Sequence, residues 1–241
     1  MISTLLLLAV SAQAADLHVA AAANLSNVLP ALTTAFEKST HIRIVPSYGA
    51  TAQLTQQIEN GAPFDVFLSA DVDYARRLAT SPADVFTYAE GRIVVWVPGG
   101  SPLDPATALR APTLRRLAIA NPDHAPYGRA AQAALRAMGL YDTLQPKLVL
   151  GENIAQTFQF VQSGAADAGI VALSLALAPK AKGTGVYWEI PQSVYPRLEQ
   201  GGLILKDSPA ARDFRALLLS GAGRGILERF GFALPAAAGG Y

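Results

Sequence analysis

Short apolar segments alternate with amphipathic segments along the chain from about residue 17 onward. The apolar segments are short and several are rich in Val and Ile, which predicts strands at 17–22, 42–46, 65–69, 93–97, 117–120, 147–150, 169–172 and 203–205. Between them, apolar residues recur at spacings of three and four, as in Leu25, Val28, Leu29, Leu32 and Phe36. Strands that alternate with such helices are typical of βαβ units, so the pattern predicts an α/β fold with mainly parallel sheets.

The helical pattern returns twice later in the chain. Ile154, Phe158 and Val161 predict a helix in the middle of the sequence. Apolar residues at 214–218 and at 226–230 predict two closing helices with a break between them near the glycine-rich segment Gly221–Gly225.

Two stretches that contain proline divide the chain, and the first of them also contains glycine. Residues 99–105 follow the fourth predicted strand, and residues 190–196 precede the last one. We therefore expect the middle third to form an inserted lobe. The predicted boundaries are a signal peptide at 1–14, lobe 1 at 15–92, lobe 2 at 93–196 and a return segment of lobe 1 at 197–241, with a ligand cleft between the lobes.

The N-terminal segment has the pattern of a signal peptide. An apolar run at 2–10 is followed by Ala12-Gln13-Ala14, which matches an A-x-A cleavage site. The run is too short to span a bilayer, which takes roughly 20 apolar residues. We expect export to the periplasm; the alternative is a buried first strand.

Composition narrows the classes of function. The 241 residues are 51% hydrophobic and 15% charged, with a formal net charge of +1, so neither disorder nor nucleic-acid binding is indicated. The sequence has no cysteine, which excludes disulfides, thiolate nucleophiles and cysteine zinc sites.

Candidate catalytic residues are few. The three histidines, His18, His41 and His124, lack the spacings of zinc motifs, and no G-x-S-x-G motif occurs. Asp65, Asp71 and Asp73 could form a carboxylate cluster, but Asp71 and Asp73 are more simply explained as the cap and first turn of the next helix. Because no strand precedes Gly221–Gly225, a helix break is the better interpretation there than a dinucleotide-binding loop.

Four turns from a strand into a helix carry small residues together with hydroxyl or amide side chains. They lie at 20–27, where Asn24 is the expected N-cap, at 47–54 with Thr51, at 121–129 and at 151–154. The first turn of a helix has backbone N–H groups without intrahelical partners and a partial positive charge, so it favours an anion. Open α/β sheets bind ligands at the carboxyl ends of their strands, where these turns fall.

At these turns the chain resembles the periplasmic molybdate-binding proteins of ABC transporters, the ModA family. The distinctive segments are 21–26, 57–71, 121–128 and 228–232, and the resemblance extends over nearly the whole mature chain. It implies a two-lobed class II periplasmic binding protein fold that closes on molybdate or tungstate through neutral donors. It also implies no enzymatic activity, no cofactor, no direct ligand to molybdenum, a membrane permease as partner, and a monomer.

Carried over by position, the resemblance assigns ligand contacts to Ala23, Asn24, Thr51, Tyr127 and the backbone N–H of Ile154. Some members of the family have serine at positions 24 and 51. Some also have a ligand tyrosine where this chain has Ala172, and Tyr127 can supply that hydroxyl instead.

Neutral donors favour a dianion that carries no hydrogen. Oriented N–H and O–H groups stabilise a dianion, whereas a protonated phosphate would leave its own donor unpaired in such a site. Sulfate differs from molybdate and tungstate in size. Two alternatives stay open: a receptor for sulfate or phosphate on the same fold, and a secreted hydrolase in which Asp65, Asp71 and His124 meet in the cleft.

Overall fold

The computed structural model describes residues 16–235, so the predicted signal peptide lies outside the described residues. The strands are β1 (Leu17–Ala22), β2 (Ile44–Gly49), β3 (Val66–Ser69), β4 (Val85–Gly91), β5 (Ile93–Pro98), β6 (Leu117–Ala120), β7 (Leu148–Gly151), β8 (Ala168–Ala172), β9 (Gly185–Glu189) and β10 (Leu198–Ile204). The α-helices are α1 (Leu29–Thr40), α2 (Thr51–Glu59), α3 (Val72–Leu78), α4 (Pro126–Ala137), α5 (Tyr141–Leu144), α6 (Ile154–Gln162), α7 (Leu173–Ala176), α8 (Pro209–Leu219) and α9 (Gly221–Arg229).

The strands form two five-stranded sheets with the same topology. The first sheet has the order β2-β1-β3-β10-β4 and the second has the order β7-β6-β8-β5-β9. In each sheet the first two pairings in this order are parallel and the last two are antiparallel. Four strands of each sheet therefore run in one direction, and only β10 or β5 is reversed. The predicted α/β class with mainly parallel sheets is confirmed.

The chain crosses between the sheets twice. It passes from β4 to β5 and returns from β9 to β10, so the reversed strand of each sheet is the one reached directly after a crossing. We call the first sheet with its helices lobe 1 and the second sheet with its helices lobe 2. The strands within 15–92 and 197–241 belong to lobe 1 and those within 93–196 to lobe 2; the exact boundary residues stay a prediction.

Each lobe has its own hydrophobic core. In lobe 2, Trp96 of β5 meets Phe158 of α6 edge to face, with ring centroids 4.9 Å apart. In lobe 1, Phe36 of α1 and Phe214 of α8 meet in the same way at 5.4 Å. Within residues 16–235, no helix combines the length and the apolar character that a membrane crossing requires.

Strand prediction succeeded for buried runs and failed for two edge strands. The bounds of β1 and β6 agree with the predictions, and both strands consist largely of buried apolar residues. The edge strands β4 and β9 were not predicted because their sequences, VFTYAEG and GVYWE, mix polar and apolar residues. Strand β10 also begins five residues before the predicted 203–205, with polar and glycine residues in its first half.

One prediction about a helix end was wrong, and another was correct to within a residue. Asn24 does not cap a long helix: it lies in the 3₁₀ turn Ala23–Leu25, its side chain makes no cap, and α1 begins only at Leu29. The amide of Asn24 is instead used in contacts between distant segments, described below. The two predicted closing helices are present as α8 and α9. The break between them lies at Ser220, directly before the glycines, which form the first turns of α9, and the Ser220 hydroxyl accepts from the N–H of Gly223.

Candidate functional site

One small cavity lies between the two lobes and contains all five residues of the predicted site. Its enclosed volume is about 10 Å³, and the space between its walls is about 190 Å³ when the part open to solvent is included. Its lining residues are all uncharged and come from both lobes: Ala22, Ala23, Asn24, Gly49, Ala50, Thr51, Ala70, Ala125, Pro126, Tyr127 and Ile154. The cavity therefore offers a ligand hydroxyl, amide and backbone groups without any formal charge.

Three helices begin at this cavity. Thr51 is the first residue of α2, Tyr127 the second of α4 and Ile154 the first of α6. These helices follow the carboxyl ends of β2, β6 and β7, so the two sheets direct the same kind of strand end toward one point. Helix starts from both lobes thus direct partial positive charge at the cavity.

The start of α6 leaves one N–H group unused. The side chain of Asn153 accepts from the N–H groups of Ala155 and Gln156 and so caps the helix. Ile154 precedes them in the first turn, where no intrahelical acceptor exists. Its N–H has no partner among the described residues and is available to a ligand in the cavity.

Asn24 is fully buried and joins three segments of the chain. Its Nδ2 donates to Gln200 Oε1 at 2.8 Å and to the Tyr127 hydroxyl at 3.3 Å. Its backbone carbonyl accepts from the Ser174 hydroxyl at 2.8 Å. Within residues 16–235, Asn24 Oδ1 is the one buried side-chain polar atom without a partner. Such an unpaired group costs about 1–3 kcal/mol and is typical of a functional site.

Two buried hydroxyl groups at the cavity have hydrogens free to donate. Thr51 Oγ1 accepts from the N–H of Ala70 at 3.2 Å, and the Tyr127 oxygen accepts from Asn24. Neither hydroxyl has an acceptor for its own hydrogen among the described residues. A hydroxyl that already accepts from the protein presents its O–H to a ligand.

Tyr127 is held in place by close packing. Gly91, the last residue of β4, lies so near that a Cβ atom there would overlap the Tyr127 hydroxyl. Burial raises the pKa of Tyr127 well above the ordinary value for tyrosine, so its hydroxyl stays protonated at neutral pH. Ala172 does not line the cavity, whereas Tyr127 does.

Gln200 was not predicted as a site residue. It does not line the cavity, but its side chain makes hydrogen bonds with residues that do. It is fully buried on β10, beside an irregularity in the pairing with β4. Its Nε2 donates to the carbonyl groups of Ala70 at 3.1 Å and Leu198 at 2.8 Å, and its Oε1 accepts from Asn24. No local pattern could have placed it next to Asn24, which lies 176 positions away in the chain.

Further contacts between the lobes surround the cavity. The N–H of Ala52 donates to the carbonyl of His124 at 3.2 Å, and Gln53 donates to Glu152 at 3.2 Å. At 2.7 Å, Arg129 pairs with Asp71. Together with the Asn24–Tyr127 contact, these bonds describe a closed arrangement of the two lobes.

The residues proposed for a hydrolase do not meet. Asp65 precedes β3 and Asp71 follows it, so the two carboxylates lie at opposite ends of one strand. Asp71 caps α3 by accepting from the N–H of Asp73, as predicted. His124 contributes only its backbone carbonyl to the contact between the lobes. Residues 16–235 contain no group of three or more potential metal-binding side chains.

A comparison with protein families agrees with this architecture. The model of the bacterial extracellular solute-binding proteins matches residues 17–233, which is nearly the whole described chain. The match covers both sheets and all four turns at the cavity.

Individual relatives within this broad family are named as molybdate-binding proteins. The molybdate-binding protein ModA of Azotobacter vinelandii is 38% identical over 95% of this chain and 94% of its own length. That of Rhodobacter capsulatus is 33% identical over 93% of this chain and 91% of its own. The solved periplasmic molybdate-binding protein of Azotobacter vinelandii superposes with a TM-score of 0.85 at 33% identity, covering 92% of this chain and all of that one. The expected periplasmic binding protein fold is thereby confirmed.

Proposed function

This chain belongs to the bacterial extracellular solute-binding proteins, in the family of the molybdate-binding ModA proteins, and we propose that it captures molybdate for an ABC transporter. The observation that supports this most is the uncharged cavity between the lobes, with hydroxyl and N–H donors from both. Molybdate is a tetrahedral dianion whose four oxygens can accept from donors on several sides at once.

Binding relies on oriented dipoles rather than on counter-charges. The hydroxyls of Thr51 and Tyr127 and the N–H of Ile154 converge on the cavity, and the starts of α2, α4 and α6 add partial positive charge. Hydrogen bonds to a charged group are about twice as strong as neutral ones. Molybdenum itself is held only through the oxygens of the anion, by Ala23, Asn24, Thr51, Tyr127 and Ile154.

The same donors select against dihydrogen phosphate. Asn24 Oδ1 is the one unpaired side-chain acceptor that the described residues bury, so dihydrogen phosphate would leave at least one of its hydrogens without a partner. Molybdate and tungstate carry no hydrogen at neutral pH and incur no such penalty. Sulfate carries none either, and its smaller size keeps it from reaching all donors in the closed cavity.

The wider role follows from the closed arrangement. Closure about a ligand between two lobes is the hinge mechanism of periplasmic binding proteins, and the closed form is the one that a membrane permease recognises. We place the protein in the periplasm, exported by the signal peptide at 1–14, and acting as a monomer. The homologous proteins are binding proteins, so the chain has no enzymatic function.

Thermal unfolding in the presence of different anions tests this function. A ligand that binds only the folded state raises the melting temperature as its concentration exceeds the dissociation constant. We expect molybdate and tungstate to raise the melting temperature of the mature protein, and sulfate and phosphate at equal concentration to leave it unchanged. The proposal is wrong if neither metal oxyanion shifts it, and a shift with sulfate or phosphate alone would support the alternative anion receptor.

A further inference from the structure

We infer that Gln200 is a positioning residue for anion binding: it fixes which way the hydrogens of Asn24 and Tyr127 point and thereby turns the Tyr127 hydroxyl toward the ligand. This inference rests on the proposed function. Gln200 does not line the cavity and acts through residues that do.

The orientation of the Gln200 amide is determined by two backbone carbonyls. Ala70 O and Leu198 O are both acceptors, so the side chain must direct its NH₂ group at them. Its carbonyl oxygen then points at Asn24. If the Gln200 amide were reversed, its oxygen would face the carbonyl oxygens of Ala70 and Leu198, and the contacts would be repulsive.

The orientation of Asn24 follows from that of Gln200. Because Gln200 presents an oxygen, Asn24 must donate to it with its NH₂ group. The second hydrogen of that group then points at the Tyr127 hydroxyl. Asn24 Oδ1 is left without a donor as a direct result. The unpaired oxygen indicates that Gln200 imposes this orientation, since a free amide could turn its oxygen to accept from the Tyr127 hydroxyl.

The Tyr127 hydroxyl is therefore an acceptor toward Asn24 and a donor toward the cavity. If the Asn24 amide reversed, the hydroxyl hydrogen would be used within the protein and lost to the ligand. The Thr51 hydroxyl does not depend on Gln200 for its direction, because it accepts from the backbone N–H of Ala70, which can only donate. The buried amide of Gln200 thus sets the direction of donation at the Tyr127 hydroxyl.

A double-mutant cycle on molybdate affinity tests this role. The variants are Gln200→Met, which keeps the length of the side chain without its polar atoms, Tyr127→Phe, and the two combined, each titrated with molybdate by calorimetry. We expect each single change to weaken binding about tenfold or more, the loss of one hydrogen bond to a charged group. We expect the double variant to bind about as well as the weaker single variant, because Gln200 acts through the hydroxyl that Tyr127→Phe removes.

The inference would be overturned if the loss of affinity in the double variant equalled the product of the two single losses. It would also be overturned if Gln200→Met bound molybdate with wild-type affinity. The matched control is Gln192→Met, which removes a glutamine that donates to the carbonyl of Tyr195 away from the cavity and should leave affinity unchanged. If the wild-type protein itself fails to bind molybdate, the proposed function fails; if it binds and the cycle is multiplicative, only the role of Gln200 fails.

A measurement on the wild-type protein covers the case in which Gln200→Met does not fold. The side-chain NH₂ groups of Gln200 and Asn24 should exchange slowly with solvent in NMR spectra, because both are buried and bonded. The exposed NH₂ group of Gln57 serves as the fast-exchanging reference. Exchange of the Gln200 and Asn24 hydrogens as fast as that of Gln57 would contradict the fixed orientation.

Discussion

Arg129 of α4 pairs with Asp71, the cap of α3, at 2.7 Å and so links lobe 2 to lobe 1 beside the cavity. Arg129 also donates to the Tyr74 hydroxyl at 3.2 Å. The two paired side chains are 40% and 26% exposed, so the pair belongs to the class of partly solvated ion pairs with modest energies. Because it joins different lobes, we expect opening of the lobes to separate the two side chains.

Arg129→Met should therefore shift the balance toward the open form. Partly exposed pairs contribute roughly 0.2–1 kcal/mol, so we expect molybdate affinity to fall by at most about fivefold, chiefly through faster release. Calorimetry and stopped-flow dissociation measure the two quantities. Arg76→Met is the matched control, because Arg76 pairs with Asp73 on the same helix at 2.7 Å and does not join the lobes. Equal release rates for the two variants would show that the Arg129 pair does not stabilise closure.

Tyr127→Phe should weaken molybdate binding, because it removes a donor to the anion together with the contact from Asn24 between the lobes. The ring stays in place while the donor is removed, and a hydrogen bond to a charged group contributes about 1.5–3 kcal/mol, or roughly 10- to 150-fold in affinity. Tyr88→Phe is the control, since Tyr88 is equally buried but donates to the carbonyl of Ser69 and does not line the cavity. The assignment of Tyr127 is wrong if both variants bind molybdate equally well by calorimetry.

Ile154→Pro tests the backbone donor at the start of α6. Proline fits the first position of a helix because the missing N–H has no intrahelical acceptor there, and the extended conformation of Asn153 is compatible with a following proline. We expect the helix to persist in circular dichroism while molybdate affinity falls about tenfold. Ile154→Val keeps the N–H and should bind nearly as the wild type does. Unchanged affinity in the proline variant would remove this N–H from the site.

The buried phenol of Tyr127 predicts a loss of stability at alkaline pH. Burial raises its pKa in the folded state, so the folded protein holds the proton more tightly than the unfolded chain does. The contribution is complete below about pH 10, the value for an unfolded tyrosine, and declines as the pH rises beyond it. We expect urea unfolding of the ligand-free protein to show less decline from pH 9 to pH 11 in Tyr127→Phe than in the wild type. Part of the decline should remain, because burial also raises the pKa of Tyr88. Identical declines would contradict the predicted role of Tyr127.

Local sequence predicted the parts of the fold that local physics determines. Buried strands such as β1 and β6 are continuous apolar runs, and the turns at Thr51 and Ile154 carry the residue types of helix starts. Edge strands such as β9 were missed because half-exposed strands lack that pattern.

The contacts behind the cavity could not be predicted in the same way. Asparagine is a residue type that favours N-cap positions, yet the side-chain amide of Asn24 donates hydrogen bonds to Gln200 and Tyr127, which lie 176 and 103 positions away in the chain. These residues come together only because β10 returns to the first sheet and because the two lobes are in contact. The residues that line the site could therefore be predicted from the sequence, whereas the partner and direction of each hydrogen bond could be determined only from the three-dimensional structure.

A crystal structure of the protein with molybdate tests the central claim most directly, because molybdenum scatters anomalously and its position can be located without ambiguity. We predict one strong anomalous peak in the cavity between Asn24, Thr51, Tyr127 and Ile154, with the anion oxygens within hydrogen-bonding distance of the two hydroxyls and of the Ile154 N–H. A peak elsewhere, a lysine or arginine in direct contact with the anion, or no peak in crystals grown with excess molybdate would contradict the account.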